Sequence, residues 1–245
     1  MEIFDFLKYL HNECIRLSLP ISFDKKHLRH LYLVCLYGTL IELVGSLIVL
    51  IESKRKRGVP VIFRSLLEAY IDLINLHEKA EYGYNMDASN HEQWIKVLKE
   101  AKYKPSNQYL KDISKINNLD EQIQEHEKEL ANLKKRGYSS LNIFQRFERA
   151  GMEDEYRSLY NSLSNDAHSN IRALINHHLE IHENDFNVVY YKDEPLKEFL
   201  VYIDSAVGPL INASLKIHSY FKTGSIAEIE KMAKRVNEIR NRYKF

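Results

Sequence analysis

Apolar positions recur three and four apart through most of the chain, the spacing of amphipathic helices, and only five prolines and eight glycines interrupt them. The pattern predicts helices over 2–18, 24–55, 60–81, 90–102, 106–136, 140–150, 154–164, 166–182, 195–222 and 226–243. Several starts carry a signal. Asp24 can cap the second helix, Pro60 suits the first turn of the third, Ser106 can cap after Pro105, and Pro195 follows an acidic pair. The run "FNVVYY", 186–191, is the only strand-like stretch, and one short strand makes no sheet. The expected fold is all-α, a multi-helix bundle. No internal repeat or low-complexity linker divides it, so residues 1–245 are taken as a single domain.

Three stretches depart from ordinary amphipathicity. In 106–136, Ile116, Leu119, Ile123, His126, Leu130 and Leu133 form a thin heptad seam on an otherwise polar helix. It reads either as a protruding arm or dimer contact, or as a surface helix of the same bundle. The segment 31–51 is apolar over a membrane-spanning length and is followed by "KRKR" at 54–57. Glu42 sits at its centre, and a mid-span acid costs roughly 2.5–3.5 kcal/mol on insertion. A buried core helix explains the same pattern without that cost, so no membrane partner is expected. The third, 59–79, is apolar around most of its circumference. Arg64, Glu68, Asp72 and Asn75 fall on one narrow stripe, and Arg64 and Glu68 can pair at i, i+4. That stripe is either a thin wet face or the wall of a cleft in which Glu68 holds Arg64 toward an anion.

Composition narrows the classes. With 44% hydrophobic and 28% charged residues the chain is globular rather than disordered, and a net charge of +1 gives no bulk attraction to nucleic acid or membrane. Two cysteines make no disulfide framework, and Cys35, inside an apolar run, reads as a small core residue. The N-terminus lacks a basic start followed by an apolar run, so the expected setting is cytoplasmic. There is no G-x-x-x-x-G-K, G-x-G-x-x-G or G-x-S-x-G, hence no support for P-loop, dinucleotide-binding or α/β-hydrolase chemistry.

Polar chemistry concentrates in "YRSLYNSLSNDAHSNIRAL", 156–174. On one continuous helix, Tyr160, Ser164, His168 and Arg172 would stack along one face. Alternatively Ser164–Asn165–Asp166 breaks the helix and caps the next. His168 would then lie in a first turn, where the helix dipole favours its neutral form, and with Asp166 and Ser164 nearby it could act as a general base. The plainer reading is a routine capping run. His178 and His182, four apart, have a spacing able to bind a metal, but no further ligand at a recognised spacing accompanies them. No metal and no cofactor are expected. "KRKRG", 54–58, could touch phosphate or be a solvated helix end.

The pair "RSLLEAYIDL" (64–73) and "YNSLSNDAHSNIRAL" (160–174) resembles the bacterial "domain of unknown function 5677" family, helical proteins with R-x-x-x-E on one helix and Y-x-x-x-S-x-x-x-H on a later one. By that resemblance Arg64, Glu68, Tyr160, Ser164 and His168 are the matching positions. A more distant similarity is to the HEPN superfamily, many of whose members are metal-independent ribonucleases of toxin–antitoxin and phage-defence systems. Their signature sets an Arg about four to six residues before a His. Here Arg157 lies eleven residues before His168, so the arginine would come from Arg64 or Arg172.

The resemblance implies an RNA-cleaving effector with His168 as base and Arg64, oriented by Glu68, as the cation for phosphorane charge. Tyr160 and Ser164 would position the phosphate. The partners would be RNA, an antitoxin or other protein, and a second copy in a homodimer. The competing class is a non-catalytic interaction protein in which Arg64, Glu68 and His168 clamp helices together.

Overall fold

The structure is a computed structural model, and it describes residues 2–163, 170–183 and 185–243. Among the described residues the chain is all-α apart from one two-stranded ribbon. The helices are α1 (Glu2–Ser18), α2 (Leu28–Glu52), α3 (Val59–Glu78), α4 (Tyr82–Tyr103), α5 (Leu119–Lys135), α6 (Ile143–Arg149), α7 (Ile171–His178), α8 (Leu200–Tyr220) and α9 (Ile226–Tyr243). Shorter turns lie between them. The chain forms two compact units, 1–77 with 147–245, and 78–146.

In the larger unit α1 packs against α2, α8 and α9, and α8 also lies on α2 and α9. Leu7, Leu10, Leu33, Leu40, Leu47, Ile203, Val207 and Ile217 fill the space between them. At Gly45 α1 and α2 approach closely. A Cβ there would sit 2.9 Å from the His11 ring, which bonds the Ile41 carbonyl at 3.1 Å. Burial lowers the His11 pKa, so the imidazole favours its neutral form. Deeper in, Ser214 donates to the Leu210 carbonyl at 2.7 Å. Its oxygen also meets the Tyr37 hydroxyl at 2.8 Å and the Cys14 thiol at 3.2 Å. Every polar atom of that buried cluster is satisfied. Arg29, on the first turn of α2, donates to the carbonyls of Leu76 at 3.0 Å and His77 at 2.6 Å, capping the end of α3.

The apolar segment 31–51 lies in α2, which is long and apolar enough to cross a membrane by length and composition. It presents one buried stripe, Leu33, Tyr37, Leu40, Val44, Leu47 and Ile51, and leaves Cys35, Thr39, Glu42 and Ser46 exposed. Cys35 is therefore not a core residue. The helical period turns it outward, and Cys14 is the buried thiol.

The smaller unit is a helical hairpin of α4 and α5. The seam of α5 faces α4: Ile123 and Leu133 are buried, and Leu119, His126 and Leu130 are half-buried. Ion pairs Lys99–Glu127 (2.6 Å), Lys102–Asp120 (2.5 Å) and Lys134–Glu92 (3.0 Å) bind its edges. The stripe that suggested a dimer contact is thus taken up within the chain. The expected helix 106–136 is also broken. Asn107 caps a turn at Gln108–Leu110, another turn covers Lys111–Ser114, and α5 starts only at Leu119. The paired asparagines of "NN", 117–118, favour that break because their side chains compete with helical backbone bonds.

Other boundaries shift as well. Asp24 closes a local turn on the Lys26 N–H at 2.9 Å instead of capping α2, and Ser106 gives way to Asn107 as a cap. The expected helix 166–182 ends at His178. Leu179–Ile181 (β1) pairs antiparallel with Phe186–Val188 (β2), Leu179 opposite Val188 and Ile181 opposite Phe186. Asp185 accepts from the Phe186 N–H at 2.7 Å, and that turn chemistry overrides the helical period.

Candidate functional site

The apolar circumference of α3 is enclosed as its sequence requires: Phe63, Leu66, Leu67, Ile71, Leu73 and Ile74 are buried. The polar stripe is half-open at Arg64 and Glu68, whose side chains are 28% and 31% exposed, and closes at Asn75, which is buried. Arg64 Nε donates to Glu68 Oε1 at 3.1 Å, the i, i+4 pair legible in the sequence.

The second motif reaches this pair through Tyr160. The chain from Glu153 to Tyr160 runs through an α turn and then a π-helical turn, Tyr156–Tyr160, and is helical again over 161–163. Such a widened turn is frequent at functional sites. Here it stacks Tyr156 on Tyr160 with ring centres 5.5 Å apart, and the buried Phe147 packs against both, at 5.5 and 5.0 Å. The Tyr160 ring is thereby fixed beneath α3. Its hydroxyl accepts from Arg64 Nε at 2.9 Å and donates to Glu68 Oε1 at 2.5 Å. The Arg64 guanidinium carbon lies 5.1 Å from the centre of the same ring, within cation–π range.

The electrostatics follow from this closed triangle. Burial, and then the bond to Glu68, pushes the Tyr160 phenol up to about 12, so it stays protonated at neutral pH. Burial alone would lower the Arg64 pKa, but the bonds to Tyr160 and Glu68 outweigh it and raise it. Elsewhere on α3, burial, with the charge of Glu155, pushes Tyr70 up to about 12. The arrangement can hold a guanidinium in a fixed plane at a partly open surface, which is what recognition of an oxyanion needs.

Of the sequence-derived site residues, Arg64, Glu68 and Tyr160 are brought together. Ser164, Asp166 and His168 lie outside the described residues. Arg172 lies on α7, where its backbone alone is described. Phe147 and Tyr156, which set the Tyr160 ring, were not legible as site residues because nothing in their spacing links them to α3. The sequence matches a family of unknown function (DUF5677) over residues 30–187. The chain belongs to this family. The matched span contains both segments that carried the resemblance and every candidate site residue from Arg64 to Arg172. No curated protein and no solved structure matches the chain.

The histidine spacing that suggested a metal dissolves. His178 closes α7 and its Nδ1 meets the Val189 carbonyl at 2.9 Å, whereas His182 lies beyond β1, 3.1 Å from the Asn187 amide. Among the described residues no group of three or more His, Cys, Asp or Glu side chains could hold a metal ion.

Proposed function

We propose that the protein is a HEPN-like, metal-independent endoribonuclease that acts as an effector in toxin or phage-defence systems. Arg64 is its anion clamp and His168 its base. The observation that carries this reading is the Tyr160 hydroxyl, bonded to both Arg64 and Glu68. It ties Tyr160, the first residue of the second motif, to the Arg64–Glu68 pair at a partly open polar surface, which supports a site shared by the two motifs. In the reaction His168 takes the proton of an RNA 2′-hydroxyl, and the 2′-oxygen forms a bond to phosphorus. The bond from phosphorus to the 5′-oxygen breaks, and that oxygen leaves with a proton from solvent. The products are a 2′,3′-cyclic phosphate and a 5′-hydroxyl. Arg64 offsets the charge that builds on the phosphorane, and Glu68 and Tyr160 are positioning residues.

A second reading rests on the same triangle. Arg64 Nε, Glu68 and Tyr160 satisfy one another, so the three could be a non-catalytic clamp between helical segments of an interaction protein. Cleavage of total RNA, followed beside thermal unfolding, separates the two. The enzyme reading expects Arg64→Ala and His168→Ala to lose cleavage, with His168→Ala keeping the parental melting temperature. A parent without cleavage, and variants that lose only stability, would establish the clamp.

A further inference from the structure

A second polar site lies in the same unit, built from residues that flank the two motif segments in sequence. The basic run after α2 and the segment after β2 enclose a cavity of about 110 Å³. Its walls include Arg55, Lys56, Arg57, Lys192, His177 and His178, and Glu194 is the one acid among them. Three of the four cations have acid partners: Arg55 with Asp193 at 2.8 Å, Lys56 with Glu198 at 2.9 Å, and Lys192 with Glu180 at 3.4 Å. Arg57 has none. Its Nη1 is shut off from solvent and makes no hydrogen bond among the described residues. Arg57 is itself half-buried and lines the pocket, so its accessible edge is the guanidinium there left to meet an anion.

Size and rim say what carries the anion. Pockets that enclose a whole small ligand run to about 300–1,000 Å³, so this one suits a single group of a larger molecule, the size of a phosphate. Beside it stand two tyrosines that no core requires. Tyr190 is 89% and Tyr191 66% exposed, and the Arg55 guanidinium stacks 3.7 Å from the centre of the Tyr191 ring. Cations that hold a phosphate next to open aromatic faces are how proteins bind single-stranded nucleic acid, because every base offers a face to stack on. A duplex hides those faces.

We infer that this pocket is a binding subsite for single-stranded RNA, with Arg57 taking a backbone phosphate and Tyr190 stacking an adjacent base. The inference rests on the ribonuclease reading for the polymer being RNA, and it adds where that polymer is held.

The test is fluorescence anisotropy with the full chain and a labelled single-stranded oligoribonucleotide whose 2′-oxygens are methylated, so that it binds but cannot be cleaved. The parent is expected to bind this probe, more weakly as salt rises, and to prefer it over its duplex. Arg57→Gln and Tyr190→Ala should each weaken binding by about fivefold or more. Tyr190 is nearly all solvent-exposed, so its variant decides the matter should Arg57→Gln fail to fold. Unchanged affinity in folded variants overturns the proposal. So does a parent that is stabilised by inorganic phosphate but does not bind the oligonucleotide. Binding that depends on Arg57 and Tyr190 without any cleavage of natural RNA upholds this site while removing the ribonuclease reading. Cleavage that is indifferent to both residues removes the site and keeps the enzyme.

Discussion

The Tyr160 hydroxyl donates a 2.5 Å hydrogen bond to Glu68 across 92 residues of chain. It also accepts from Arg64, so one phenol organises both members of the pair on α3. Tyr160→Phe keeps the ring, its stack on Tyr156 and its contact with Phe147, and removes only these bonds. A loss of about 1–2 kcal/mol in unfolding free energy is expected, since a bond to a charged partner is being removed at a partly wet site. In a Glu68→Gln background the same change should cost less, and denaturant unfolding of the four proteins gives the coupling. Strict additivity would mean that the triangle contributes nothing as a unit.

The buried Ser214 is the hub of a different network. Ser214→Ala leaves the Tyr37 hydroxyl and the Cys14 thiol facing a methyl group, at a position with no exposure to water. The expected cost is about 1–3 kcal/mol, most of it the desolvated phenol. The double variant Ser214→Ala, Tyr37→Phe should recover part of that loss, because the orphaned hydroxyl is gone. A double variant no more stable than the single would place the cost in packing instead.

The two thiols should react at very different rates. Cys35 is exposed, whereas Cys14 is enclosed and burial pushes its thiol pKa up. Titration with a chromogenic disulfide is expected to count one fast thiol in the native protein and two in denaturant. Cys35→Ser should abolish the fast phase.

Acid should destabilise the protein through its enclosed histidines. His218 has no exposed surface, and burial lowers its pKa below the ordinary value; burial does the same to His11. Above about pH 6.5 both folded and unfolded forms are neutral and nothing is lost. Below it the unfolded chain takes up protons that the folded one refuses, so stability falls as pH drops toward the lowered folded-state values. The limit is about 1.4 kcal/mol per pH unit for each such histidine. Melting temperatures from pH 7.5 to 5 should fall, and His218→Gln should flatten part of the slope. An identical slope in that variant would remove His218 as a cause.

Much of this protein was set by the sequence itself, wherever the cause is local. The period of α1, α3 and α9, the Arg64–Glu68 pair one turn apart, and the all-α class follow from side-chain spacing along single helices. Family membership follows from the sequence match over residues 30–187. Tertiary structure decided the rest, because the deciding forces join residues far apart in the chain. Which face of α2 is buried determines that Cys35 is outside, and an apolar run reads the same either way; Cys14 is inside because it lies on the buried face of α1. The α5 seam became an intrachain contact because α4 was there to cover it. A two-strand ribbon ended α7 at His178, since ladder bonds to a later segment outweighed a weak helical period. Above all, Tyr160 reached Glu68 only because a π-helical turn and the Phe147 ring aim it there, and no spacing in one dimension encodes that meeting.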